Sequence, residues 1–373
     1  MHLFLIDLFI SIDVLAPIIN IIDKKKVIIC NINPIQDHSK NKLINFFVKK
    51  KIKYFNFLPL CNKKLLSFFF IKFFKLLPCN LQTKSRFLVK KIYLQENLSS
   101  KDKIKDFLIK NEVRSITYEE SAPSNYISQI YEIANNLKIK VIKIPSGLGV
   151  GIGRTIVDMN KLGFCDKLIL PNKILKVEKK FKGNVKILGS LRYTFSWFVI
   201  LDKIFGKKSK YQKNITLGFF KKYQSKEANL INKIITKLED SKKYSIFTRE
   251  KPRDIFSSNC NKFENDTLTS SQLINNSDII ISSRPSSILL EALLKKKKII
   301  LLFYANQELK KTPFYTSKIF IKVKNFGRLK IELNKKNIKN YRKYRKYFLT
   351  KTLVNWKNEK KIRSNFKSFY NSL

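Results

Sequence analysis

The stretch Ser277 to Phe303, SDIIISSRPSSILLEALLKKKKIILLF, decides the fold. It opens as a buried strand, Asp278 followed by Ile279, Ile280 and Ile281, and breaks at the polar run Ser282, Ser283, Arg284, Pro285, Ser286, Ser287. A short helix carrying Glu291 follows, and a second apolar strand, Ile299 to Phe303, comes directly after it. Strand, polar turn, helix and strand make a βαβ unit, with the helix N-terminus at the carboxyl edge of a parallel sheet. Free backbone N–H groups, serine hydroxyls and the positive end of the helix dipole at that edge suit a phosphate or diphosphate. Ser286 or Ser287 would serve equally well as an ordinary helix cap.

The same alternation runs through the rest of the chain. Val27 to Ile32 reads as a strand, Ser39 to Lys51 as a helix, Phe87 to Leu94 as a strand and Lys101 to Lys110 as a helix. Strand Ser115 to Tyr118, helix Asn125 to Leu137 and strand Lys140 to Ile144 come next. Leu168 to Pro171 and Val185 to Leu188 are two more short strands, and Gly189 to Tyr193 forms a turn. After a lysine-rich connector, Lys203 to Lys213, the series restarts with strand Ile215 to Phe220, helix Glu227 to Leu238, strand Tyr244 to Thr248 and a helix near Ser270 to Asn276. Such alternation predicts an α/β fold of two doubly wound, Rossmann-like parallel-sheet domains facing a cleft, with C-terminal helices. A chain of 373 residues also exceeds one ordinary hydrophobic core. The expected division is 1–200, 201–345 and a helical tail, 346–373. Aromatic residues in Asn337 to Leu373 suit either a helix crossing back to the first domain or a cap on the second sheet.

Composition narrows the function classes. The formal charge of +49 comes from 76 Lys+Arg against 27 Asp+Glu, but Lys, Ile, Asn and Phe are raised together, as A/T-rich coding would produce. A basic surface favours anionic partners in general. Nucleic acid binding rests on that charge alone, because no recognition-motif signature accompanies it. Five scattered cysteines without a CxxC pair, and two histidines, His2 and His38, exclude a standard disulfide framework or zinc spacing and fit a reducing compartment. The apolar N-terminal run from Leu3 to Ile22 is interrupted by Asp7 and Asp13 and lacks a preceding basic residue, so it reads as a cytoplasmic first strand and helix. Asn62 to Leu77, NKKLLSFFFIKFFKLL, has the composition of a helix lying in the headgroup layer of an anionic membrane, and equally of a core helix with snorkelling lysines. Pro145 to Arg154, PSGLGVGIGR, holds four of the ten glycines but neither a dinucleotide fingerprint nor a P-loop, and reads as a close-approach loop on the cleft wall.

Several pieces together give a resemblance. The Asp-Ile-Ile-Ile strand, the Ser-Ser turn and the helix beginning Ile288, Leu289, Leu290, Glu291, Ala292 resemble the C-terminal half of GT-B-type glycosyltransferases. The wording is closest to surface-polysaccharide biosynthesis proteins related to the CDP-glycerol glycerophosphotransferases. IPSGL at Ile144 to Leu148, LGSLRYTFSW at Leu188 to Trp197 and TREKPRD at Thr248 to Asp254 agree in order. The resemblance implies a metal-independent transferase without a cofactor, taking a nucleotide-sugar or CDP-alditol donor in the C-terminal domain and a glycan or lipid-linked acceptor in the N-terminal one. It assigns Ser282, Ser283, Arg284, Ser286, Ser287, Arg253, Gly189, Ser190 and Arg192 to the donor and its phosphates, and Glu291 to a ribose or donor-sugar hydroxyl. Ser146, beside Gly147 in the cleft loop, stands where the relatives carry a histidine. That leaves Glu119 and Glu120, in the turn after strand Ser115 to Tyr118, as substitutes for the base; Asp37 and His38 are further candidates. The expected location is cytoplasmic, with Asn62 to Leu77 offering a peripheral contact with the anionic inner face of the plasma membrane. The rival readings are a UDP-sugar 2-epimerase, which wants more acid/base groups than the sequence offers, and a non-catalytic nucleotide-sugar-binding protein.

Overall fold

The computed structural model describes residues 1–7, 9–32, 38–39, 41–56, 101–120, 122, 124–145, 156–157, 164–173, 176–177, 183–205, 215–221, 226–250, 270–282, 288–302, 316–335 and 338–373. Its elements, in chain order, begin with β1 (His2–Ile6), α1 (Phe9–Ile19), β2 (Val27–Asn31), α2 (Lys42–Lys49) and β3 (Lys53–Asn56). Then come α3 (Lys101–Lys110), β4 (Ser115–Glu119), α4 (Ser124–Asn136), β5 (Lys140–Ile144), β6 (Ile156–Val157), β7 (Lys167–Leu170), β8 (Lys176–Val177) and β9 (Val185–Ile187). A 3-10 turn, Leu191–Tyr193, leads into α5 (Phe195–Phe205). The second series is β10 (Ile215–Lys221), α6 (Lys226–Glu239), β11 (Tyr244–Glu250), α7 (Ser270–Asn276), β12 (Ile279–Ser282), α8 (Ile288–Leu294), β13 (Lys298–Leu302), β14 (Ile321–Val323) and α9 (Phe326–Asn334). Helices α10 (Tyr341–Thr352) and α11 (Glu359–Asn371) close the chain.

Two parallel sheets organise these elements. The first has seven strands in the order β3-β2-β1-β4-β5-β7-β9, and the second has five in the order β11-β10-β12-β13-β14. A parallel sheet is covered by helices on both faces, so its strands are continuous apolar runs. Every residue of β1, β2 and β13 is accordingly buried. Side chains alternate between the faces. Phe4, Ile6 and Ile29 face a core built with α1, α2 and α5, whereas Leu3, Leu5 and Ile28 face α3 and α4. In the second sheet Ile280 and Leu301 pack toward α7, α8 and α10, and Ile279, Ile281 and Ile300 toward α6 and α9.

Helix α1 is apolar along most of its length because it is buried, as expected for a helix inside a layered core. Its 11 residues span about 17 Å, far short of a bilayer. No helix among the described residues is long and apolar enough to cross a membrane.

The tail divides between the two destinations that the sequence leaves open. Phe348 and Leu349 of α10 enter the core of the second sheet, and Arg345 donates to the carbonyl of Leu294 at the end of α8 at 3.0 Å. Helix α11 returns to the first sheet, where Ile362, Phe366 and Tyr370 join the core on the α1 side. The Tyr370 hydroxyl meets Thr117 Oγ1 of β4 at 3.0 Å, and the His2 ring stands edge-on to Tyr370.

The structure adjusts the sequence reading in two places. The connector proposed from Lys203 begins later, since Lys203 to Phe205 complete α5, whose Trp197, Phe198 and Leu201 are core residues. Strands β3 and β14 and helices α5 and α9 are additions. The proposed strand Phe87 to Leu94 and helix Asn62 to Leu77 lie outside the described residues.

Truncating Phe366 to Ala, which empties fully packed space between α11 and the first sheet, is expected to cost about 3–5 kcal/mol in a urea melt. Burial, with the amino terminus, Lys26 and Arg114 nearby, holds His2 down to about 4, and its Nδ1 lies 2.8 Å from Ser115 Oγ. The folded protein therefore binds this proton less readily than the unfolded chain, and stability is expected to fall as pH drops from about 6.5 toward about 4. Replacing His2 with Asn is expected to flatten that part of a stability–pH profile.

Candidate functional site

Each sheet reverses its strand order once, and the crevice at the carboxyl edge of that reversal is where open α/β sheets take ligands. In the first sheet the chain steps from β1 out to β2 and β3, then crosses back to β4 on the other side of β1. The ends of β1 and β4 flank the crevice, with Leu5 paired in register to Tyr118.

Polar residues gather at this edge although the sheet below them is apolar. Asp7 follows β1 and is buried, as are Asn31 at the end of β2 and His38. His38 Nε2 lies 2.9 Å from the carbonyl oxygen of Asp7. Glu119, the last residue of β4, is fully buried, and Ser11 on the first turns of α1 donates to its Oε2 at 3.3 Å. Its neighbour Glu120 is half-buried, with its N–H donating to the Ile144 carbonyl. The pair of adjacent glutamates thus splits: Glu119 belongs to the crevice floor and Glu120 to its margin.

The turn Gly189 to Tyr193 comes over the same region. Arg192 Nη2 stands 3.7 Å from Asp13 Oδ2 of α1. Burial alone would lower the Arg192 pKa, but Tyr193, Asp13, Glu291 and Glu119 together raise it and hold the guanidinium charged. Its Nη1 is buried and has no hydrogen-bond partner among the described residues. The ion pair with Asp13, with Glu119 and Glu291 within electrostatic reach, makes this arginine an internal tie. Gly189 takes a left-handed φ of 91°, and a Cβ there would stand 2.9 Å from the Val354 carbonyl and 3.2 Å from Ile362 Cγ1. Close passage of the segment leading into α11 therefore requires glycine at this position. Ser190 is half-buried and makes no capping bond to the 3-10 turn. A cavity of about 40 Å³ lies beneath, walled by Val14, Ile18, Pro145, Pro171, Ser190 and Phe366.

In the second sheet β12 lies between β10 and β13, and the chain has already gone from β10 to β11 on the opposite side. Ser282, the final residue of β12, pairs in register with Phe220 of β10 and is buried. Strand β12 thus ends at the reversal point of its sheet, and the next described element is α8, beginning at Ile288. Ser283, Arg284, Ser286 and Ser287 themselves lie outside the described residues, as do Arg253, Ser146, Gly147 and Asp37. Glu291 is buried on α8 and pairs with Lys295 at 3.0 Å. Lys295 also reaches Asn275 Oδ1 of α7 at 2.6 Å and lies over the Phe198 ring of α5. Glu291 thus faces an inter-element ion pair linking both sheets' helices.

Sequence reading missed Asp7, Ser11, Asp13 and Lys295 as site-region residues. The signal for the first three was the pair of carboxylates inside an otherwise apolar strand and helix. Among the described residues no group of three or more His, Cys, Asp and Glu side chains is arranged to hold a metal ion. Cys30 and Cys165 are free thiols, and burial pushes Cys165 up to about 11.

No protein-family model and no curated protein sequence matches the chain. Solved structures do. The whole chain superposes on a protein from Listeria monocytogenes assigned as a UDP-N-acetylglucosamine 2-epimerase, with a TM-score of 0.55, 9% identity and 97% of that chain covered. It superposes equally fully on the calicheamicin glycosyltransferase CalG4, with a TM-score of 0.52, 7% identity and 98% of that chain covered. The glycotransferase of kitacinnamycin gives 0.50, 7% and 97%. The fold is the GT-B fold. At such identities the likeness is one of architecture.

If Arg192 is the internal tie described above, Arg192→Met is expected to destabilise the ligand-free protein measurably in chemical denaturation, because it removes a buried positive charge from the neighbourhood of Asp13, Glu119 and Glu291. A residue serving only a bound donor would leave the ligand-free melt unchanged.

Proposed function

We propose that the protein is a glycosyltransferase-like enzyme that moves a sugar or alditol-phosphate group from a nucleotide-activated donor to a surface-glycan or lipid-linked acceptor. The observation that carries this reading is the pair of reversal points, one in each sheet, with opposite chemistry. The first holds a buried carboxylate, Glu119. The second launches the serine-rich segment Ser282 to Ser287. In this reading the nucleotide diphosphate docks against the second edge through Ser283, Ser286, Ser287 and the adjoining backbone N–H groups, with Arg284 and Arg253 adding charge. Negative charge grows on the leaving phosphate as the donor bond breaks, and preorganised donors lower that barrier without proton transfer to it. Glu119, the carboxylate in the first crevice, takes the proton of the acceptor hydroxyl as it attacks. Glu120 at the margin is the alternative base.

The N-terminal unit, 1–200 with α5 extending it to Phe205, takes the acceptor in this proposal. Residues through 345 take the donor, and 346–373 form the tail. Placement in surface-polysaccharide synthesis near the CDP-glycerol glycerophosphotransferases rests on the sequence motifs. A cytoplasmic location at the inner membrane face rests on the composition of the N-terminal run and of Asn62 to Leu77.

A second reading has a specific observation behind it. The first crevice gathers Asp7, Asp13, Glu119 and His38, a fuller acid/base set than the sequence alone suggests. Epimerisation of a UDP-sugar removes and returns a proton on carbon and uses such a set. Incubation with a panel of nucleotide sugars and CDP-alditols, in the presence of lipid-linked acceptors, separates the two. Release of free nucleotide coupled to acceptor consumption marks transfer, and a changed sugar on intact nucleotide marks epimerisation. For transfer, Glu119→Gln is expected to lower kcat about 10²–10⁴-fold with the fold preserved. Alanine at Ser286 and Ser287 together is expected to weaken nucleotide binding in calorimetry, and unchanged affinity would remove the donor-site assignment.

A further inference from the structure

We propose that the C-terminal helices carry a docking surface for the anionic face of a phospholipid bilayer, independent of which reaction the crevice performs. Residues 338–373 hold eleven Lys and Arg and a single carboxylate, Glu359. That carboxylate is already engaged: it accepts from the Ser196 N–H and hydroxyl of α5 and lies 3.6 Å from Arg363. The segment therefore presents its charge without an acid of its own to offset it.

The cations are arranged. Arg342, Lys343 and Lys346 are exposed on one side of α10, together with Tyr347 and Thr350. The indole N–H of Trp356 donates to Thr350 Oγ1 at 3.1 Å, so the stripe passes from α10 into the connecting loop. It continues through exposed Lys357 to Lys360 and Lys361 on the first turn of α11. Arg345 and Lys357 both lie against the Trp356 ring, at 5.7 and 5.5 Å from its centroid.

Two exposed aromatic groups accompany these cations, one on α10 and one next to the residue that bonds the start of α11. Phe195 is 78% exposed and Tyr347 69%, and each exceeds every other exposed large hydrophobic among the described residues. Tyr347 lies within the stripe. Phe195 precedes Ser196, whose bonds to Glu359 set it at the start of α11. Lysine and arginine draw a protein to anionic headgroups over a Debye length, and aromatic rings settle at the headgroup level. The same cations would also attract a nucleic acid, but Phe195 offers an apolar anchor suited to the lipid interface.

Co-sedimentation of the full-length protein with vesicles of phosphatidylcholine, alone or mixed with phosphatidylglycerol, tests the surface. Binding to the mixed vesicles only is expected. Changing Lys343, Lys346, Lys357, Lys360 and Lys361 to Glu is expected to weaken it by more than about tenfold. The same change at five exposed lysines elsewhere, Lys49, Lys53, Lys105, Lys110 and Lys140, is expected to alter it by less than about threefold, the residue of long-range attraction. Phe195→Ser with Tyr347→Ser is expected to reduce the binding that survives raised salt. Far-UV circular dichroism checks each fold, and a Lys→Gln version of the stripe gives the same contrast without new ion pairs. Equal losses from the two lysine sets would overturn the proposal, as would equal binding to both vesicle types. So would a stripe variant that keeps vesicle binding while losing affinity for a mixed-sequence RNA.

Discussion

The return of α11 to the first sheet is the contact on which the arrangement depends. A parallel sheet leaves two apolar faces, and on the α1 face of this one Ile362, Phe366 and Tyr370 from the far end of the chain join the residues of α1, α2 and α5. The bond between Tyr370 and Thr117 satisfies two hydroxyls that would otherwise be costly at such depth. The core of the first sheet therefore draws on residues that follow the second sheet in the chain. Gly189 is part of the same requirement, since the returning segment passes where a side chain would stand.

With both sheets fixed in this way, the chemistry-bearing residues follow from topology. Buried polar groups are tolerated where strands end, because the backbone there no longer has ladder partners to protect and neighbouring side chains satisfy the new ones. Asp7 and Glu119 occupy those positions in the first sheet and Ser282 in the second. Arg192 adds a positive charge among the carboxylates of α1, β4 and α8. That balance allows several acids to be packed near one another without a prohibitive desolvation cost.

How much of this was legible depends on the physical signal at each position. Strands β2, β12 and β13 were plain because doubly covered parallel strands are near-continuous apolar runs rich in Val, Ile and Leu. The Lys101–Lys110 helix was read to the residue, because its buried Ile104, Phe107 and Leu108 recur at helical spacing against charged neighbours. The short edge strand β3, KYFN, has no such run, and α5 was masked by the lysines that follow it. Glu119 could be nominated but not located: two adjacent glutamates after a strand look alike in sequence, and only the strand's exit point sends one inward. The division of the tail between two sheets was equally hidden, since aromatic spacing reports a buried face and not what buries it.

The three-residue turn Leu191 to Tyr193 is rooted on both sides. Leu191 sits in the core of the first sheet and Tyr193 in that of the second. A rocking of one half against the other about this turn would pivot within about a nanometre of it, the reach of three residues. Displacement is smallest there and grows with distance along each half. Carboxylates beside the pivot keep their mutual spacing through such a swing, while groups farther out along the second sheet sweep toward or away from them.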